Sequence, residues 1–231
     1  MFWNLNEIDF VPSTDNHQHA MKITKCLFVA ILLGVFAFAC SNNTSVNNGP
    51  STMPTPKVAG PPVYDDEVAV FETDYGSFKI ALYPDVAPLH VENFKKLIRE
   101  KFYDGLGFHR VLANRMIQGG DPQTRGGGNR ALWGTGEENQ PKVPAEFSTR
   151  PFTRGAVGMA RGGDPNGATS QFFVCLGPEH QWDGKYTVFG EVTQGLNNVQ
   201  IISNVPLQPG KQDQVKDLPV IKRAYLEKRQ Q

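Results

Sequence analysis

Polar side chains that could do chemistry are concentrated in one short segment, FHRVLANRMIQGGDP, which runs from Phe108 to Pro122. His109, Arg110 and Gln118 stand close together in it. Sites that break covalent bonds usually combine a nucleophile with a base, a pair of carboxylates or a set of metal ligands. None of these combinations is evident in this segment. The pattern therefore favours a reaction that breaks no covalent bond.

Strand alternation separates the two basic side chains of the segment. His109 and Arg110 are adjacent in a predicted strand, so their side chains point to opposite faces. We expect His109 to be a hydrogen-bonded core histidine in preference to a catalytic base. Arg110 then remains, together with Gln118, Met116 and Phe173, on short antiparallel strands.

An arginine, a glutamine and apolar side chains suit rotation about an X-Pro peptide bond. This rotation is opposed by about 20 kcal/mol of lost amide resonance and takes tens of seconds unaided. In the twisted state the proline nitrogen regains a lone pair, and a positioned guanidinium can donate a hydrogen bond to it. The proline ring needs an apolar pocket, while an amide such as that of Gln118 can hold the neighbouring carbonyls.

Motifs for other reactions are missing from the sequence. RGGGNR at 125–130 lacks the Lys-Ser/Thr of a phosphate-binding loop, and Ser170 in ATSQFF lacks the flanking glycines of a nucleophile elbow. His17 and His19 could suggest a metal-binding pair, but they lie in a segment that we do not expect in the mature chain. We therefore expect no metal and no cofactor.

The composition is that of an ordinary globular protein. The chain has 231 residues, of which 39% are hydrophobic and 10% aromatic, enough for one well-packed core. Its 23 basic and 23 acidic residues balance, so nucleic acid is not an expected partner. Three cysteines do not make a disulfide framework, and Cys175 in QFFVCLG is expected to be a buried core thiol.

A targeting signal precedes the domain. MKITK, beginning at Met21, supplies a basic start, and the apolar run Cys26–Cys40 follows it. The end of this run, AFAC, resembles a bacterial lipobox, which implies that Cys40 becomes the lipidated first residue of the mature chain. An uncleaved anchor is the alternative, although a run of about 15 residues is shorter than the roughly 20 of a transmembrane helix.

These signals predict the organisation of the chain before its domain. Residues 1–20 are interpreted as an extension before the true start, and 21–39 as a signal peptide. Residues 40–66, rich in Ser, Asn, Thr, Gly and Pro in their first part, are expected to form a flexible tether from the lipid. We therefore expect a bacterial cell-envelope protein, lipid-anchored to a membrane, with its domain facing the periplasm or the exterior.

The elements that must position the polar residues are mostly strands. EVAVFETDYGSFKIALY contains two β-prone runs joined at Asp74-Tyr75-Gly76, which predicts a hairpin. Further short runs separated by Gly, Pro and Asp suggest a closed barrel or a sandwich. Two segments with helical spacing, APLHVENFKKLIREKFYDG and GLNNVQIISNV, predict helices that cap it.

From about Glu67 to Glu227 the sequence resembles the cyclophilin family of peptidyl-prolyl cis-trans isomerases. NFKKLI, YDGLGFHRV, MIQGGDP, GAVGMAR, DPNGATSQFFVC and DGKYTVFGEV occur in the family's order and spacing. The resemblance implies a mainly β domain over 67–229, a closed eight-stranded antiparallel barrel capped by two α-helices. It implies a monomer whose partners are proline-containing peptides and unfolded exported proteins.

The resemblance also implies roles for individual residues. Arg110 stands at the family's catalytic arginine and Gln118 at its substrate-orienting glutamine. Arg115 stands where the family usually has a phenylalanine of the proline pocket, and Gln181 and Trp182 also depart from the usual rim. The implied substrate-binding residues are Met116, Ala160, Arg161 (through its backbone), Gln171, Phe173, Trp182, Tyr186 and Arg115.

Two functions agree with these residues. The first is an active isomerase that acts on X-Pro bonds of exported proteins and assists their folding. The alternative is a proline-peptide binding or chaperone-like module that has lost most catalysis through Arg115. Retention of Arg110 and Gln118 favours the first.

Overall fold

A computed structural model describes residues 53–230. Within that range the chain forms eight strands, two α-helices and three short 3₁₀ helices, η1 to η3. The strands are β1 Glu67–Thr73, β2 Gly76–Leu82, β3 Arg110–Leu112, β4 Met116–Gly119, β5 Ala156–Met159, β6 Phe172–Cys175, β7 Val188–Gln194 and β8 Ile221–Lys228. The helices are α1 Pro88–Arg99, α2 Leu196–Ser203, η1 Pro122–Gly127, η2 Arg130–Leu132 and η3 His180–Trp182.

The predicted hairpin is formed by β1 and β2. Its turn is closed by Thr73, whose hydroxyl accepts from the Tyr75 N–H over 3.0 Å and donates to the Gly76 carbonyl over 2.7 Å. Gly76 has a φ of 99°, a conformation that glycine adopts without a Cβ clash. The resulting register places Phe71 opposite Phe78, and their rings stack 5.3 Å apart in the core.

All eight strands belong to one antiparallel sheet, in the order β3-β4-β6-β5-β7-β2-β1-β8. The expected closed barrel is wrong in one respect, because the edge strands β3 and β8 are not paired along their length. The loop before β8 covers the edge of β3 instead. The Val111 N–H donates to the Asp213 carbonyl over 2.9 Å, and Gly107 bridges Val220. The half-barrel is completed by loop contacts that satisfy backbone groups of an edge strand.

The predicted helices pack on this sheet through their apolar positions. Pro88 stands in the first turn of α1, where its missing N–H costs nothing. Val91, Phe94 and Ile98 of α1 are buried, as their spacing indicates. The Phe94 ring lies 5.4 Å from that of Phe172 and 4.9 Å from that of Phe189. Helix α1 is therefore fixed to the sheet by aromatic contacts.

The interior also contains the expected buried thiol. Cys175 on β6 is fully buried and unpaired among the described residues. Burial raises the pKa of this thiol above its ordinary value. Cys175 is therefore a neutral core side chain, as its sequence context predicts.

The last part of the expected tether is held against the domain. The Lys57 N–H donates to the Phe147 carbonyl over 2.7 Å, and the Thr149 N–H donates to the Lys57 carbonyl over 2.9 Å. The Ala59 N–H donates to the Thr149 hydroxyl over 3.0 Å. A flexible tether would therefore end before Lys57 and not at residue 66.

The predicted signal peptide, the extension before it and the lipidation site Cys40 lie outside the described residues. Across residues 53–230, the helices are too short or too polar to span a membrane.

Phe94→Ala should lower the free energy of unfolding by about 3 to 5 kcal/mol, because it removes a fully buried ring and leaves a cavity among the remaining aromatics. The matched control is Leu89→Ala on the same helix, where the side chain is 48% exposed and the loss should stay below about 1 kcal/mol. Urea unfolding of the full-length chain measures both. Similar losses in the two variants would contradict the packing of α1.

Candidate active site

Most of the residues singled out in the sequence surround one cavity of about 450 Å³. The strands β3, β4 and β6 supply one side, and loops supply the rim. Its lining consists of His109, Arg110, Met116, Gln118, Trp133, Gly134, Ala160, Arg161, Phe173, Trp182, Tyr186, Asp213 and Gln214.

One part of the cavity is apolar. Met116 on β4 and Phe173 on β6 are almost fully buried and form its floor. The indole of Trp182 lies 5.1 Å from the Phe173 ring, and the Tyr186 ring lies 5.9 Å from it, both edge to face. Edge-to-face packing fixes the rings relative to each other. This part can accommodate a small apolar ring.

The other part is polar and is built on the β3–β4 ladder. Arg110 pairs with Gln118 across the two strands, and the Arg110 Nη1 lies 3.4 Å from Gln118 Oε1. The Gln118 Nε2 donates to Gln171 Oε1 over 3.0 Å, and the Gln171 Nε2 donates to the Gly134 carbonyl over 3.2 Å. The guanidinium of Arg110 and the amide of Gln118 therefore line this cavity, whereas Gln171, which the sequence also singled out, lines the second cavity beside it.

Met116 and Gln118 reach the same cavity because alternate residues of a strand share a face. The ladder between β4 and β6 sets Gln118 beside Phe173, so the polar wall and the apolar floor meet at that pair. The order of residues in MIQGG thus fixes which of its side chains share a face, and the register with β6 fixes their neighbours.

Ala160 and Arg161 follow β5 and close the third side. The Ala160 N–H donates to the Gln171 carbonyl over 2.9 Å, which ties this segment to the groove. The side chain of Arg161 lies over the Tyr186 ring, at 4.7 Å from its centre, and its Nη2 donates to the Lys185 carbonyl over 2.8 Å. The guanidinium of Arg161 therefore holds Tyr186 in place.

Arg115 is not brought to the cavity. Its Nε and Nη2 donate to the two carboxylate oxygens of Glu179 over 2.7 and 2.6 Å. Glu179 is buried, and its carbonyl accepts from the Trp182 N–H over 2.9 Å. Trp182 lines the cavity, whereas the positive charge of Arg115 is paired with Glu179, the residue before η3.

His109 is buried, as expected, but the hydrogen bonds expected for its ring are not formed. Neither ring nitrogen has a partner within the described part of the chain, although the residue lines the cavity beside Arg110. Burial lowers the pKa of His109 to about 4. The imidazole is therefore neutral at pH 7.

Sequence reasoning missed Trp133, Gly134, Asp213 and Gln214. Trp133 follows η2, and Asp213 lies in the polar loop KQDQVKD between α2 and β8. Neither belongs to a motif or a periodic segment, so no sequence signal marked them. A second cavity of about 320 Å³ adjoins the first beyond Gln118 and Gln171.

Three neighbouring carboxylates lie away from the cavity, before and at the start of β1. Asp65, Asp66 and Glu67 offer oxygens within 4.8 Å of one another. Lys95 already contacts Asp65 at 2.6 Å and Glu67 at 2.9 Å, and Lys228 contacts Asp66 at 2.7 Å. These carboxylates therefore anchor α1 and β8 to the start of β1.

This fold and site define a class of protein. An antiparallel half-barrel with two helices brings an arginine, an amide and an apolar floor together in one cavity. The family model described as cyclophilin type peptidyl-prolyl cis-trans isomerase/CLD matches residues 68–226. The chain belongs to this family and is an enzyme of the peptidyl-prolyl cis-trans isomerase type.

Individual relatives agree with this assignment. A probable peptidyl-prolyl cis-trans isomerase of Brucella suis is 43% identical over 140 residues, 59% of this chain and 71% of that protein. The peptidyl-prolyl cis-trans isomerase-like 1 protein of Rhizopus delemar is 40% identical over 136 residues, 58% and 78% of the two chains. A cyclophilin type isomerase of Cryptosporidium parvum, solved in the presence of the dipeptide Ala-Pro, superposes with a TM-score of 0.61 and 27% identity, covering 70% of this chain and 99% of that one.

Removing Arg115 should make stability respond differently to pH. The hydrogen bond from Arg115 holds the pKa of Glu179 below its ordinary value of 4.5. The stabilisation is therefore present above about pH 4.5 and is lost as pH falls through the lower folded-state pKa. Arg115→Leu should therefore be less stable than the natural protein at pH 7, and this difference in stability should be smaller at pH 3. Urea unfolding midpoints at the two pH values measure it.

Arg154→Leu, at an exposed arginine outside this pair, is the control and should show a deficit that does not change with pH. An equal deficit for Arg115→Leu at both pH values would show that the ion pair contributes nothing.

Proposed function

We propose that this cavity catalyses rotation about X-Pro peptide bonds. The proline ring would lie on Met116 and Phe173, beside Trp182, and the guanidinium of Arg110 would donate to the proline nitrogen as it twists out of conjugation. The observation that carries the proposal is the Arg110–Gln118 pair, which stands at the edge of the apolar floor in one cavity. The Cryptosporidium protein was solved with Ala-Pro, which supports a proline-containing ligand here.

The chemistry requires only differential binding. Arg110 gains a partner when the nitrogen lone pair appears, so its hydrogen bond strengthens at the transition state. The connected amides of Gln118 and Gln171 can hold the flanking carbonyl groups while the bond rotates. Accelerating a step of tens of seconds to milliseconds takes about 5 to 6 kcal/mol, which a few hydrogen bonds and a dry pocket can supply.

The contacts of Arg115 do not support the alternative function, an inactive proline-peptide binding module. Its guanidinium is bound to Glu179, so its charge is not directed at the proline ring. The aromatic wall is supplied by Trp182 instead. A positive charge at the pocket edge would by itself predict a preference for acidic residues near proline. Because Glu179 binds the guanidinium of Arg115, we no longer expect that preference.

Arg110→Ala should lower kcat/KM by about a hundredfold or more, since losing one charge-assisted hydrogen bond to the twisting nitrogen costs roughly 2.7 kcal/mol at the transition state. A protease-coupled assay with an X-Pro peptide on the full-length chain measures it. Arg99→Ala on α1, an exposed arginine, is the control and should retain full activity. Full activity in Arg110→Ala would remove Arg110 from the reaction.

We also propose that the mature chain begins at lipidated Cys40 and assists the folding of exported proteins from a membrane of the bacterial cell envelope. The support is the basic start at Met21, the apolar run and the AFAC sequence. Cys40→Ser should shift the protein from the membrane to the soluble fraction, and the intact mass of the natural protein should show a lipid adduct on Cys40. A mass that retains residues 21–39 without lipid would contradict the proposal.

A further inference from the structure

The guanidinium of Arg110 is held from two sides. Its Nη1 lies 3.4 Å from Gln118 Oε1, and its Nε donates to Asp213 Oδ2 over 2.8 Å. The shorter of the two bonds is the one to Asp213, and it is charge-assisted. Asp213 therefore restrains the arginine more strongly than Gln118 does.

The main chain of Asp213 is itself fixed to β3. Its carbonyl accepts from the Val111 N–H over 2.9 Å, next to the arginine that its side chain binds. The neighbouring Gln214 forms an isolated antiparallel β-bridge with Arg110. The Gln214 carbonyl accepts from the Gln208 N–H over 2.9 Å. The loop thus pairs with the edge of β3 through its backbone and holds the Asp213 carboxylate at a defined position.

A second arginine secures this loop from the opposite side. Arg130 in η2 donates from Nη1 to the Val215 carbonyl over 2.5 Å and from Nη2 to the Lys216 carbonyl over 2.8 Å. Its guanidinium stacks on Trp133 at 4.3 Å from the ring centre, and the Trp133 Nε1 donates to the Gly127 carbonyl over 3.1 Å. Arg130 therefore joins two loops, both of which line the cavity.

We propose that Asp213 is a positioning residue for Arg110, an inference that rests on the proposed function of Arg110. A long arginine side chain loses rotamer freedom when it is held in one geometry. Asp213 occupies the Nε, so the outer nitrogens remain directed toward the cavity. Both side chains are more than a third exposed, and an exposed ion pair contributes little stability. The effect of the pair is on orientation.

The carboxylate of Asp213 could act on Arg110 in two ways. It orients the guanidinium, and it partly neutralises the positive charge that the reaction uses. An asparagine keeps an acceptor oxygen near Nε without the negative charge, whereas an alanine removes both. If orientation dominates, Asp213→Asn should retain activity and Asp213→Ala should lose it. If charge dominates, both variants should be at least as active as the natural protein.

The experiment compares Asp213→Ala, Asp213→Asn and the control Asp217→Ala in the full-length chain; Asp217 is an exposed acid of the same loop. We expect kcat for an X-Pro peptide to fall about five- to tenfold in Asp213→Ala, with KM changed by less than about twofold. Asp213→Asn should stay within about twofold, and Asp217→Ala should match the natural protein. Activity in Asp213→Ala equal to that of the control would overturn the proposal.

A spectroscopic signature tests the positioning without relying on activity. The Arg110 Nε–H resonance in a ¹H–¹⁵N spectrum, identified by its loss in Arg110→Lys, should be protected from solvent exchange in the natural protein and in Asp213→Asn. It should exchange rapidly in Asp213→Ala. An unchanged resonance in Asp213→Ala would also overturn the proposal.

The two proposals fail in distinguishable ways. Full activity of Arg110→Ala would refute the role of Arg110 in the proposed function, whatever Asp213 does. An inactive Arg110→Ala together with a fully active Asp213→Ala would refute only the positioning role.

Discussion

The antiparallel ladder between β3 and β4, extended by β6, is the constraint on which the site depends. It sets Arg110 opposite Gln118 and places Gln118 beside Phe173. Strand alternation then puts Met116 on the same face. A slip of one residue in this register would turn every one of these side chains to the other face of the sheet. The functional surface and the core are therefore specified by the same hydrogen bonds.

The strand β3 lies at the edge of the sheet, and the loop that covers it contributes further residues to the site. Because β8 does not pair with β3 along its length, the backbone of β3 is available to the loop around Asp213. This loop brings a carboxylate to the Nε of Arg110, and Arg130 holds it in place. A feature of the fold that first looks like incomplete closure thus supplies the partner of the arginine.

The departures from the family pattern at Arg115 and Trp182 form one structural unit. Arg115 binds the buried carboxylate of Glu179, whose carbonyl holds the Trp182 N–H. A buried carboxylate without its partner would be costly, so the two residues depend on each other. The indole of Trp182 supplies apolar surface to the cavity, which Arg115 does not line.

The sequence by itself determined the family, the strands and the two α-helices, and it singled out Arg110, Met116, Gln118 and Phe173, because all of these lie in contiguous motifs. The three 3₁₀ helices carried no such signal. Hydrophobic spacing was enough to place Phe94 in the core. Closure of the sheet was not predictable, because it depends on whether a distant loop or β8 occupies the edge of β3.

Only the tertiary structure decided the contacts of Asp213, Trp133 and Arg115. Asp213 and Arg110 are far apart in the chain, and nothing in KQDQVKD distinguishes one exposed acid from the next. Arg115 stood at a pocket position in the motif, but the direction of its side chain was decided by Glu179, which a linear pattern cannot bring near. Long-range pairing of charged side chains is a property of the folded geometry, whereas strand alternation and hydrophobic spacing are local and can be read from the sequence.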